Sequence, residues 1–127
     1  MHKSQLAGIM IDCKTDDLDR AADFWAAALG LKREAADTPA TTSYVHMQRK
    51  DPSDLNIDVQ RVDHESRIHL DIETDNVESE VARLQKLGAR KVKQCDGWCV
   101  LEAPTGQRFC VVVPKHAHFA KRANIWE

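Results

Sequence analysis

No apolar run in this sequence approaches the roughly 18 residues of a membrane-spanning helix, so a transmembrane segment is not expected. Charge of one sign is also missing. Eighteen lysines and arginines face twenty aspartates and glutamates, leaving a formal net charge of −2, which points away from nucleic acid or an anionic membrane as partner. Met1-His2-Lys3-Ser4-Gln5 leads straight into a strand-like run with no export signal before it, so a cytoplasmic location with reduced thiols is expected. Cysteine is scarce: Cys13, Cys95, Cys99 and Cys110. Cys95 and Cys99 are spaced like a loose metal hook, but no second pair accompanies them, so they read as core or loop thiols rather than zinc ligands. A glycine-rich phosphate loop, a Ser-His-Asp arrangement and a zinc-protease motif are all missing.

What is present fits one globular domain over residues 1–127, with 43% hydrophobic and 30% charged residues. Leu6 to Cys13 reads as a strand, with Ile9 and Ile11 on one face and Met10 and Asp12 on the other. Asp16 or Asp17 offers an N-cap, and Leu18, Ala21, Ala22, Trp25 and Leu29 form an apolar helical stripe ended by Gly30. A short strand and a loop are expected from Arg33 to Thr41. A strand follows from Thr42 to Gln48, with Tyr44, His46 and Gln48 on one face, and another from Leu55 to Gln60. Val62 to Ser66 is a polar connection.

The pattern then restarts. Arg67 to Glu73 is a strand with Ile68, Leu70 and Ile72 opposite His69 and Asp71. Asp75 with Glu78 resembles a capping box, and Val77, Val81, Leu84 and Leu87 supply a stripe closed by Gly88. Strands are expected near Lys91 to Lys93, Trp98 to Glu102 and Gln107 to Val113, the last two joined by an Ala103-Pro104-Thr105-Gly106 turn. At an offset of 59 residues Asp12 recurs as Asp71, Thr15 as Thr74 and Asp16 as Asp75, which signals an internal repeat.

The expectation is therefore an α+β fold of two paired βαβββ modules, about residues 6–61 and 67–114, with a tail at 115–127. Each would be a curled mixed sheet with its helix outside and its apolar strand face, including Ile68 and Leu70, beneath that helix. The polar faces would line a groove suited to a small ligand.

Asp17-Leu18-Asp19-Arg20-Ala21 with Phe24-Trp25, Leu29-Gly30-Leu31, Ile68-His69-Leu70-Asp71, Leu87-Gly88-Ala89 and Ala103-Pro104-Thr105-Gly106-Gln107-Arg108-Phe109-Cys110 are the motifs that carry a family resemblance. Over residues 6–114 the chain resembles the glyoxalase-like, or vicinal-oxygen-chelate, family, which also holds bleomycin-resistance-type proteins, lyases, epimerases and dioxygenases. The resemblance implies a small-molecule ligand, a homodimer and, in metal-dependent members, a divalent cation held by His, Glu or Gln on the first and last strands of each module. His69 matches one such position. Its counterpart Met10 is a poor ligand for a hard cation. Cys110 stands where glutamate is usual, and Asn56 or Asp58 is the remaining candidate.

With that ligand set incomplete, the first functional reading is a metal-free glyoxalase-like protein binding a small organic molecule. One alternative is a lyase, isomerase or dioxygenase-type enzyme using His69, with or without a divalent metal. A second is a non-catalytic interaction module. The candidate ligand-binding residues are Met10, Tyr44, His46, Asp58, His69, Trp98, Arg108 and Cys110, with His69 also the catalytic candidate. Asp12 and Asp71 read as ligand contacts, strand-to-loop ties or solvated carboxylates. Cys110 is a reactive thiol if Arg108 lowers its pKa, or else a buried inert one. His116-Ala117-His118 has the form of a chelating pair, within a tail read as a surface segment that orders partly on packing.

Overall fold

In the computed structural model, residues 1–34 and 43–127 are described. The expected strand and loop up to Thr41, and the expected strand start at Thr42, fall partly or wholly outside them. The described residues form eight strands, paired both parallel and antiparallel, and three helices, an α+β fold. Two compact units are present, one of Gly8–Ile68 and one of Met1–Ala7 with His69–Glu127.

In the Gly8–Ile68 unit, β1 (His2–Lys14) pairs in parallel with β3 (Asn56–Val62), and β3 pairs antiparallel with β2 (Tyr44–His46). Helix α1 (Leu18–Leu29) begins where the Asp17 side chain accepts the Arg20 N–H, and it ends at Gly30, which takes the left-handed conformation (φ 67°). Its stripe works as expected: Leu18, Ala22 and Trp25 pack with Ile11, Val45, Met47 and Val59. Leu29 lies beyond that core and is exposed. Strand β1 departs from simple alternation. Met10, Ile11 and Asp12 are all buried, so Met10 belongs to the interior of the chain rather than to an open polar face.

In the other unit, β4 (Arg67–Thr74) pairs in parallel with β7 (Arg108–Val112), followed antiparallel by β6 (Trp98–Glu102) and β5 (Arg90–Cys95). Helix α2 (Val77–Lys86) covers them through Val81 and Leu84, which pack with Cys99, Leu101 and Val111. Burial pushes the Cys99 thiol pKa up, as suits a core thiol.

Two expectations are corrected here. Asn76, not Asp75, caps α2 by accepting the Ser79 N–H, because the Asp75 carboxylate instead accepts the N–H of Lys3. Ile68 and Leu70 are not covered by the helix; they are 58% and 46% exposed. Helix α2 lies over β5 to β7, and from β4 Ile72 packs against the same core.

The tail, read as a segment ordering partly on packing, adds two elements: α3 (Phe119–Arg122) buries Phe119, and β8 (Asn124–Trp126) pairs antiparallel with His2–Ser4 of β1, while Ile125 stays exposed. The pairing gives its backbone groups partners in β1.

Candidate functional site

Side chains two apart on a strand share a face. His69 and Asp71 therefore project together from β4, with His69 Nε2 3.5 Å from Asp71 Oδ1. That is an ion-pair distance, longer than a strong hydrogen bond. The parallel register sets Asp71 opposite Cys110 of β7. One ligand atom each from His69, Asp71 and Cys110 lies within 4.8 Å of the others. The side chains of His69 and Asp71 are 13% and 18% exposed, so they are partly desolvated and still open to a small molecule. Cys110 is deeper.

The sequence reading had His69 and Cys110 but gave Asp71 no firm role. The register that brings Asp71 to Cys110 joins strands far apart in sequence. The usable signal was the recurrence of aspartate at Asp12 and Asp71.

A divalent metal is what the fold family implies, and the chemistry of these donors suits one. An imidazole nitrogen, a carboxylate oxygen and a thiol sulfur are three metal-ligating groups on one face. Such an ion, when bound, would polarise an oxygen of a small molecule. The chain's part is to hold the three donors on two paired strands.

The other predicted residues group differently. In the Gly8–Ile68 unit, Tyr44 and His46 share the outward face of β2, their rings parallel with centroids 6.2 Å apart. His46 Nδ1 lies 2.7 Å from Asp58 Oδ1, a short charge-assisted contact, and Asp58 sits beside Met10 in the β1–β3 ladder. Asp58 thus serves as the partner of His46, which leaves less of it for a cation. In the other unit, Trp98 opens β6 opposite Cys95 and is 36% exposed. Arg108 lies two residues before Cys110 on β7, with Glu102 across the ladder.

The two histidines of His116-Ala117-His118 stand in different surroundings. His116 is buried with Nδ1 3.1 Å from both oxygens of buried Glu73, which also accepts from Gln5 Nε2 at 2.7 Å and from the Lys115 N–H at 2.8 Å. His118 is exposed at the start of α3.

Comparison with known proteins gives the same fold. A family model described as "Glyoxalase-like domain" matches residues 8–112. A hypothetical protein, BH1468 from Bacillus halodurans C-125, superposes with a TM-score of 0.62 at 12% identity, covering 89% of this chain and 96% of that one. An extradiol ring-cleaving dioxygenase from B. fuscum gives 0.60 at 17% identity over 89% of this chain, which spans only 33% of the dioxygenase. A methylmalonyl-CoA epimerase from Mycobacterium tuberculosis gives 0.58 at 15% identity over 87% of both chains. At these identities the likeness is one of fold. No curated protein matches. Among the described residues, no helix is long and apolar enough to cross a membrane.

Proposed function

This chain belongs to the glyoxalase-like domain family, and from that premise we propose that it binds and converts a small oxygen-bearing organic molecule, anchored through His69 on the β4–β7 face. The observation that carries the reading is the His69, Asp71 and Cys110 group, three chemically capable side chains converging on one partly desolvated face. Asp71, at ion-pair distance, holds the His69 ring in orientation, the usual part of a carboxylate beside a working histidine. The named neighbours, an epimerase and a dioxygenase, support an enzyme, and a lyase or isomerase is the class proposed.

A panel of small carbonyl and carboxylate compounds, read by thermal shift, tests this. A ligand at about a hundred times its Kd adds about 2.7 kcal/mol to the native state, a shift of several degrees. At least one compound is expected to stabilise the wild type and not His69→Ala, and proton NMR of that compound then follows its conversion. No shift with any compound, or an equal shift in His69→Ala, would reject the assignment.

The proposal extends to location and assembly. Four free thiols suit a reducing compartment, and the cytoplasm is proposed. The exposed Ile68 and Leu70 on β4 and Ile125 on β8 support a homodimer. Sedimentation at micromolar concentration should give twice the 14.4 kDa chain mass, and a species of single mass would dismiss the dimer.

A further inference from the structure

We infer that Arg108 anchors the carboxylate of the ligand held beside His69, so that this ligand is a compact monocarboxylic acid; the part of His69 rests on the functional reading above.

Register fixes the face on which Arg108 stands. Cys99, Leu101 and Val111 turn towards α2, where they pack with Val81 and Leu84. Alternation turns their neighbours Val100, Glu102, Arg108 and Cys110 to the opposite face, the one that carries His69 and Asp71. The β4–β7 pairing sets Asp71 opposite Cys110, and carried back two residues on each strand it brings Arg108 level with His69. Neighbouring strands lie about 5 Å apart, so the two side chains leave the sheet side by side.

The charges on this face are unevenly matched. Glu102 is the cross-ladder partner of Arg108, yet its carboxylate accepts from the Arg90 guanidinium on the other side, in β5. Asp71 lies at ion-pair distance from His69. Among the described residues, Arg108 has no ion pair and no side-chain hydrogen bond, although it is partly buried. A guanidinium cannot shed its charge, so withdrawing it from water without a counter-ion is unfavourable, and an entering anion relieves that cost. Its planar fork of donors matches the two oxygens of a carboxylate.

The same charges limit the ligand. One unmatched cation near two carboxylates suits a single negative charge, whereas Asp71 and Glu102 would repel a dianion such as phosphate. With the acid oxygens on Arg108, the carbon or oxygen next to the carboxylate falls within reach of His69, the placement that proton transfer needs. Val100 and the 36% exposed Trp98, two apart on β6, give the same face apolar surface for a short chain or a ring.

The test titrates the full chain, by ligand-observed NMR, with pyruvate, 2-hydroxybutanoate, phenylpyruvate and benzoate, each beside its primary amide, and with inorganic phosphate. At least one acid should bind about tenfold or more tighter than its amide, as a two-pronged charge-assisted contact requires. Arg108→Ala should bring acid and amide to within about twofold of each other, and Arg108→Lys, which keeps the charge and loses the fork, should retain part of the preference. The acid-to-amide ratio is read within each variant, and the urea midpoint shows that each is folded. Equal affinity for acid and amide in the wild type, a preference that survives Arg108→Ala, or phosphate bound more tightly than every acid would overturn the inference. Amides bound as well as acids, and lost in His69→Ala, would overturn this inference and leave the functional reading standing. An acid preference that needs Arg108 but not His69 would instead overturn the part given to His69. No binding of any compound would overturn both.

Discussion

Glu80→Ala is expected to lower stability by about 3–5 kcal/mol, the range for breaking a buried ion pair from one side. Glu80 lies on α2 with none of its surface exposed. Its carboxylate accepts from Arg83 Nε and Nη2, both at 2.8 Å, and lies 2.8 Å from His2 Nε2. The Arg83 guanidinium stacks over the Trp126 ring at 3.8 Å, and Trp126 Nε1 donates to Ser4 Oγ at 2.8 Å. One carboxylate therefore ties together the start of β1, helix α2 and β8. Alanine leaves the Arg83 guanidinium without its counter-ion and the buried His2 ring without its hydrogen-bond partner, with little water to replace it. Against a typical total of about 5–15 kcal/mol, that loss is large. Urea unfolding of the variant beside wild type measures it, and an unchanged midpoint would refute the account.

The same group carries an acid prediction. Burial opposes ionisation of Glu80, but hydrogen bonds from Arg83, His2 and Ser4 outweigh it and hold the carboxyl at about 2, below the ordinary 4.5. A depressed folded-state pKa means stability that is fully present above the unfolded value near 4.5 and lost as pH falls towards about 2. Wild-type stability should fall across that window, and Glu80→Gln should fall less steeply. Parallel slopes in the two proteins would remove Glu80 as the source.

Gly8→Ala is the second large effect. Gly8 is the register partner of Asn56 in the parallel β1–β3 ladder. A Cβ added there would stand 2.8 Å from the Asn56 Cβ and closer still to its carbonyl oxygen. Backbone on the far side cannot rotate away as a long side chain would, so the two strands must part or shift. Overpacking of this kind costs about 1–3 kcal/mol, with the upper end expected here because the clash is with main chain. The ladder it disturbs also positions Met10 beside Asp58, so the His46–Asp58 contact should loosen with it. The urea midpoint and the His46 imidazole signals in NMR report the two consequences. A fully stable alanine variant with unmoved signals would show that β1 can yield at this point.

The local elements were legible because neighbours in the chain create them. The offset of 59 residues has a physical counterpart in each unit. Thr15 Oγ1 accepts the Asp17 N–H and Thr74 Oγ1 accepts the Asn76 N–H, and Asp17 and Asn76 then cap their helices by accepting an N–H three residues on. The 103–106 turn closes as its sequence requires, with Ala103 N–H donating to Gln107 and Gly106 N–H to Ala103. Even so, Asp75 looked like the cap of α2 until Lys3, distant in sequence, drew its carboxylate away.

From the sequence alone came the order of elements from β1 to β7, the two helix stripes apart from the exposed Leu29 and Leu87, the family, and the strand that carries His69. These rest on side-chain periodicity and on hydrogen bonds spanning a few residues. Tertiary structure alone decided that Asp71 faces Cys110, that Glu73 engages His116, that Glu80 binds His2 and that the tail returns as a strand on β1. Each is a pairing between distant segments, set by which register buries the apolar rows and satisfies the backbone. No short stretch of sequence carries that choice, because it is a property of two strands or a strand and a helix together.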